Sequence, residues 1–433
     1  MRSVVPWSLF VLLFATVAAG FTGLVIDAVR DARTRSGMAE YRAEVAVRAT
    51  GDILIGAVGP WERVFEQPVL NGIRMAVDEI NRQGGVLGRQ IRLVERDDRS
   101  EIQAGREAAM DLCQDVGVVA VLGHNSSEVS MPCATIYEYF GVLMITPVAS
   151  TPDLHGKGFT RVFQMISDDA SVGTQLAEYA AARGLRHAVI YQAPGDAAVH
   201  SANAFELRAA ELGVEVADRM SYAPSARPAD FRNDLLLLTS GQQSDVLFVS
   251  GTVPQAAEAI IAARALNPTL PILCSDGLRR LGVLRIAKEQ TGGVTFLTHY
   301  DESGDDPDVR AWVESYRKRF NRPPGALAAQ GYDSVRVLAS AMTAANSTVP
   351  DRVAAALRKL SGWRGLTGVH DFQHDGSLRK QGWFAEIAPR AERTVYRTLA
   401  QVQAGASGGG VPIDLEAILK AGRTTTAPQV QTR

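Results

Sequence analysis

VGVVAVLGHNSSEVSMPCATIYEYFGVLMITPVASTPDL, residues 116–154, decides how this chain is read. Val116–Leu122 is an unbroken apolar run of strand length, as expected for a strand buried on both faces of a parallel sheet. It breaks at Gly123 into His124, Asn125, Ser126 and Ser127. A helical stretch with Pro132 in its early turns ends near Phe140. Val142–Ile145 is then a second buried strand, opening into Thr146-Pro147-Val148-Ala149-Ser150-Thr151. Two parallel strands thus end in hydroxyl-rich loops at their carboxyl edges, where open α/β sheets bind small ligands. Hydroxyls and free N–H groups at helix N-termini suit a carboxylate or another anion. Ser127 or Ser150 alone is as readily a helix N-cap. The pair of loops is the stronger signal.

Outward from this stretch the same alternation repeats. Upstream, Ile53–Val58 is a strand ending in Gly59-Pro60-Trp61. A helix with Val69, Ile73, Ala76, Val77 and Ile80 on one face follows, stopped by Gln83-Gly84-Gly85. A strand within 88–98 and a helix over 102–114 lead into the opening stretch. Downstream, helices over 170–183, 202–212, 230–238 and 254–266 alternate with strands at 187–191, 214–221, 246–250 and 272–274. The last of these opens into Ser275-Asp276-Gly277, and Val294–Thr298 is a further strand. Helices over 307–320, 328–345 and 352–360 come next, and Val369–Ile387 reads as a hairpin around His374-Asp375-Gly376. Such alternation defines an α/β protein with doubly wound parallel sheets, here in two lobes that late segments return to complete. After Gln401 the Gly-, Thr- and Gln-rich chain reads as a flexible tail, 401–433, with a short helix at Ile413–Leu419.

The chain has 433 residues, 46% hydrophobic and 21% charged, with a net charge of −2. That is globular, with room for two or three domains. No Lys/Arg stripe accompanies it, so nucleic acid is not the partner. Three cysteines without a CxxC pair exclude a disulfide scaffold; Cys113 and Cys133, on helices flanking the central strand, leave a bridge open. Val4–Ile26 carries no charge and is long enough to cross a bilayer. Residues 1–27 are therefore a signal anchor or a signal peptide, with Val17-Ala18-Ala19 as a cleavage site in the second case. Residues 28–51, Ala-rich and free of Pro, read as a helical stalk whose alternating charges are solvated.

His370 and His374, flanked by Asp371 and Asp375, offer no third metal ligand. His155-Gly156-Lys157-Gly158 lacks the first glycine of a phosphate loop, and no GxSxG or HExxH occurs. His124 is the one base near Ser127 in sequence; an anion-binding serine is the simpler reading. No catalytic site, metal or cofactor is expected.

Ile53-Leu54-Ile55-Gly56, Ala76–Asn81 with Gly84–Gly88, Asp97-Asp98, Gly123-His124…Ser127, Thr146-Pro147…Ser150, Asp230-Phe231, Tyr332-Asp333 and Gly365–Gly368 occur in that order. Together they resemble the type I periplasmic binding proteins, in particular the leucine/isoleucine/valine-binding group that serves ABC importers. The resemblance spans about Asp52 to Pro389. It implies two Rossmann-like lobes, 52–166 with 299–368 and 167–298 with 369–400, joined by three hinge crossovers near Ile166, Thr298 and Val369. It also implies a ligand carboxylate held by Ser127, Val148 and Ser150, with Asn125 and Ser126 on the same shelf. The ligand's ammonium falls to Asp276, and further contacts fall near Ala197 and Thr252. Trp61 is expected at the cleft mouth. A tyrosine-glycine pair frequent in the family is Ala197-Ala198 here, the aromatic expected near Thr252 is missing, and cysteines that some members pair are Ser100 and Ser126. The implied function is non-enzymatic: a periplasmic or extracytoplasmic protein, tethered to the inner membrane by residues 4–26, that captures a small amino acid-like ligand. Its partner is an ABC importer permease or, alternatively, a membrane signalling protein that reads a ligand-sensing receptor domain.

Overall fold

The computed structural model describes residues 37–240, 244–277, 279–303, 306–378 and 380–420. The apolar run Val4–Ile26 lies outside them. Among the described residues no helix is long and apolar enough to cross a membrane.

The first sheet has strands β1 (Ile53–Gly59), β2 (Ile91–Asp97), β3 (Val118–Leu122), β4 (Leu143–Thr146) and β5 (Val162–Gln164), all parallel, in the order β2-β1-β3-β4-β5. Side chains on a strand alternate between faces. On β1, Ile53, Ile55 and Ala57 therefore join one core layer while Leu54 and Val58 join the other. Helix α1 spans 37–48; α2 (Gln67–Arg82), α3 (Ile102–Gln114) and α4 (Ser127–Phe140) alternate with these strands.

The second sheet begins with β6 (His187–Gln192), β7 (Glu215–Ser221), β8 (Val246–Ser250), β9 (Ile272–Cys274) and β10 (Val294–Thr298), again parallel. Helices α5 (Asp169–Ala182), α6 (Asp196–Glu211), α7 (Pro228–Ser240), α8 (Gln255–Leu266) and α9 (Arg280–Ala287) cover its faces. The chain then returns to the first lobe. There α10 (Pro307–Phe320), α11 (Ala326–Ala345) and α12 (Pro350–Lys359) complete the core, followed by the two-stranded β11 (Trp363–Gly365) and β12 (Gly368–His370). Finally β13 (Trp383–Ile387), β14 (Arg393–Arg397) and β15 (Gly409–Pro412) extend the second sheet antiparallel, to the order β15-β14-β13-β10-β9-β8-β6-β7.

Several sequence expectations change here. Residues 369–387 are not one hairpin: β12 pairs with β11, β13 pairs with β10, and among the described residues the isolated bridge Phe372–Leu378 spans the turn. Phe372 and Leu378 are buried in the first lobe, so the third crossover comes after Leu378 rather than at Val369. Of the expected tail, residues 401–420 instead supply the edge strand β15 and the helices α13 (Leu399–Gln403) and α14 (Leu415–Lys420). The charged stretch 28–51 is not solvated throughout. Arg42 on α1 is fully buried and donates to the carbonyls of Phe140 (3.0 Å), Asp115 (2.9 Å), Val118 (2.6 Å) and Cys113 (2.7 Å). Cys113, Cys133 and Cys274 are buried free thiols.

The first and third crossovers are joined in a polar knot. Ser167 Oγ donates to the Lys380 carbonyl (2.9 Å), and Lys380 Nζ donates to the Thr367 carbonyl (2.8 Å) and lies 3.2 Å from His370 Nε2. Buried Asp333 accepts from Leu366 N, Thr367 N and Thr367 Oγ1. His299 is buried at the second crossing, where desolvation holds its imidazole neutral.

Candidate ligand cleft

Where β3 ends, Gly123 adopts φ 147°, and a Cβ there would meet the Val58 carbonyl oxygen at 2.1 Å. Only glycine fits. The next residue, His124, turns inward: Nδ1 lies 2.7 Å from Asp98 Oδ2 and Nε2 lies 3.1 Å from the Tyr137 hydroxyl, all three buried. His124 is thus a fastening and not a base for Ser127. Its carbonyl accepts from Ser130 Oγ (3.1 Å) and Thr146 Oγ1 (2.8 Å), and Thr146 Oγ1 in turn accepts from Ala149 N. The two hydroxyl loops are tied to each other through one carbonyl. Gln164 Nε2 secures the second loop by donating to the Ala149 and Thr151 carbonyls, both at 3.0 Å.

These loops form one wall of an interlobe cleft of about 630 Å³. Asn125, Ser126, Ser127, Val148 and Ser150 line it from the first lobe; Ala197, Thr252 and Asp276 line it from the second. Trp61 does not reach it. Its indole folds back over Gly59, with Nε1 donating to the Ala57 carbonyl at 3.4 Å, and is half-buried against the first lobe's core. Ser127 opens α4 and its Oγ accepts from Ser150 N at 3.4 Å.

Asp276 is not a helix cap, since Arg279 occupies the N-cap position of α9. Its carboxylate accepts from Val253 N (3.0 Å) and lies 3.5 Å from Arg279 Nη1. Burial pushes its pKa up, Arg279 acting in the opposite direction.

Of the cleft residues absent from the sequence-based set, Glu66, Arg279 and Asp169 make the contacts that matter most. Glu66, at the N-cap position of α2, pairs with Arg279 of the other lobe at 2.5 Å and accepts from Asn125 Nδ2 at 3.0 Å. Asn125, Glu66, Arg279 and Asp276 therefore form a chain of contacts from one lobe to the other. Asp169, first residue of α5, accepts from Ser150 Oγ at 2.7 Å. Burial pushes its pKa up to about 7, partly offset by the Ser150 hydrogen bond. The sequence signal was present in Asp168-Asp169: one acid suffices as N-cap, and Asp168 fills that role by accepting from Ser171 N.

Two α/β lobes hinged at three crossovers, with donor loops facing an acidic corner across a cleft, are the architecture of a two-lobed ligand-binding protein. The chain belongs to the periplasmic binding protein family, whose model matches residues 54–392. Among similar proteins, a Leu/Ile/Val-binding protein of Rhizobium johnstonii is 29% identical over 319 residues, covering 72% of this chain and 84% of that protein. The leucine-specific-binding protein of Salmonella typhimurium is 27% identical, covering 77% and 86%. An ABC transporter substrate-binding protein of Desulfitobacterium hafniense, solved in complex with Leu, matches with a TM-score of 0.69 and 29% identity over 80% of this chain and 100% of that one. A leucine-binding protein of Thermotoga maritima gives 0.72 and 25%, over 80% and 98%.

Proposed function

We propose that this chain is a non-enzymatic, extracytoplasmic solute-binding protein that captures a small amino acid-like ligand for an ABC importer. One observation carries the reading: the two hydroxyl loops of the first lobe and Asp276 of the second face the same cleft. A carboxylate needs several donors in a water-poor site, and two loops at adjacent strand ends supply hydroxyl and N–H groups together. An ammonium needs an ionised acceptor. Since these groups sit on different lobes, a ligand bound by both favours the closed state.

A thermal-shift screen with amino acids, amides and small organic acids tests the reading, because bound ligand raises apparent stability by mass action. Against the ligand so found, Asp276→Ala should weaken binding by about 2–5 kcal/mol. Ser150→Ala should cost about 1 kcal/mol, since backbone donors remain. Absence of any shift across the screen would sink the proposal. Tethering through Val4–Ile26 belongs to the same reading, supported by the uncharged length of that run. It makes the full-length protein fractionate with membranes; a mature N-terminus near Gly20 would show cleavage instead.

A further inference from the structure

The cleft's charge is out of proportion to the chain's. Among the described lining residues Glu66, Glu128, Asp153, Asp169, Asp196 and Asp276 are acidic, and only Arg63 and Arg279 are basic. That is a formal balance of −4 in one cleft, on a chain whose whole balance is −2. Arg63 is exposed and donates to the Arg99 carbonyl. Arg279 is committed to Glu66 at 2.5 Å and reaches Asp276 only at 3.5 Å. Two inner carboxylates, Asp169 and Asp276, are left without a full counter-charge. Asp169 Oδ1 takes the Ser150 hydroxyl, but Oδ2 is buried with no hydrogen-bond partner. Asp169 lines the cleft while this buried oxygen lacks a donor, and a ligand closing the cleft can bring one.

We propose that the ligand is a small organic cation with two primary ammonium groups, a basic amino acid or an aliphatic diamine, one ammonium held by Asp169 and the other by Asp276. The proposal rests on the solute-binding reading and narrows it. Burial raises the pKa of both aspartates, and Arg279 offsets it only in part. Quaternary ammonium ions are held by aromatic cages, and no Phe, Tyr or Trp is among the described lining residues. Acceptor oxygens suit a group with N–H donors. A ligand with an aliphatic side chain, such as leucine, would leave one of the two carboxylates buried without a cation.

Calorimetric titration of the purified full chain at pH 8 with L-lysine, putrescine, L-leucine and L-glutamate tests this. Expected is binding of L-lysine or putrescine about 30-fold or more tighter than L-leucine, with no binding of L-glutamate. Lysine without putrescine places the ligand's carboxylate on the serine loops; putrescine alongside lysine means the ammonium groups suffice. D169N should weaken the cation by about 30-fold; D169S serves if D169N does not fold, and the titration of the unaltered protein needs no variant. L-leucine binding as tightly as the cations, or D169N binding them unchanged, overturns the proposal and leaves the solute-binding reading intact. No binding of any amino acid, amide, amine or organic acid overturns both.

Discussion

Asp169 has a consequence for stability as well as for binding. Its carboxyl titrates at about 7 in the fold against 3.8 in the open chain, chiefly because burial disfavours the charge. Between those values the folded state holds the extra proton. The stability it contributes is therefore complete below about pH 4 and is lost as pH rises through 7. The ligand-free protein should lose melting temperature between about pH 4 and 7, and D169N should flatten that fall; parallel profiles for variant and parent would refute the assignment. The cleft-lining Ser127 and Ser150 stand out in the sequence because each follows a buried apolar run. Glu66 and Arg279 do not, and Asp169 is marked only by the second acid of Asp168-Asp169. Each sits in a charged helix start, where solvent exposure is the ordinary expectation, and only the fold brings Glu66 within 2.5 Å of a residue more than two hundred positions away. Trp61 misled for the complementary reason: nothing in the sequence tells an indole at a cleft mouth from one folded back on its own strand.

Elements were read well where periodicity ruled and poorly where pairing did. The parallel strands stand out as apolar runs, whereas β13 is defined by its pairing with the distant β10, and β14 and β15 add to it through antiparallel pairs between consecutive strands. Helix contacts add constraints that composition conceals. Gly72 of α2 lies against α11 so closely that a Cβ would sit 2.0 Å from the Ala328 carbonyl oxygen, and a Cβ on Gly331 would sit 2.2 Å from the Val69 carbonyl oxygen from the other side. Gly72→Ala forces the helices apart and should destabilise the protein by about 2–4 kcal/mol in urea titrations, despite alanine's better helix propensity; an unchanged midpoint would contradict the packing. Helix α1 is held differently, by a guanidinium given to four main-chain carbonyls. Arg42→Ala strands buried acceptors and should cost about 3 kcal/mol. Arg42→Lys should recover less than half, because an ammonium cannot match the planar fork. Full recovery with lysine would mean that charge, and not geometry, fastens the helix.

For the molecule as a whole, the Glu66–Arg279 pair is a direct polar link between the lobes across the cleft. Glu66→Gln weakens it while leaving the hinge knot of Ser167, Lys380 and Thr367 in place. Small-angle scattering of the ligand-free variant should give a larger radius of gyration than the parent, a difference that ligand removes. Equal radii would mean that the pair does not bias closure. The expected crossovers follow from the family resemblance, and not from the order of strands. The Phe372–Leu378 turn carries no such mark in the sequence, since it buries its side chains in the lobe it is about to leave.

The four carbonyls that grip Arg42 belong to residues 113, 115, 118 and 140, which enter β3 and β4, whereas the donor loops leave those strands at their far ends. A pull on the chain ahead of α1 is therefore delivered to the first lobe, a strand's length from the cleft, and bypasses the crossovers. Immobilised by its N-terminal side on a sensor chip, the protein should report the same ligand kinetics as in free solution. Fixed instead through α14, it would be held by the second lobe, whose core buries Ile418 beside the seam with the first, and the first lobe would be the one left to swing.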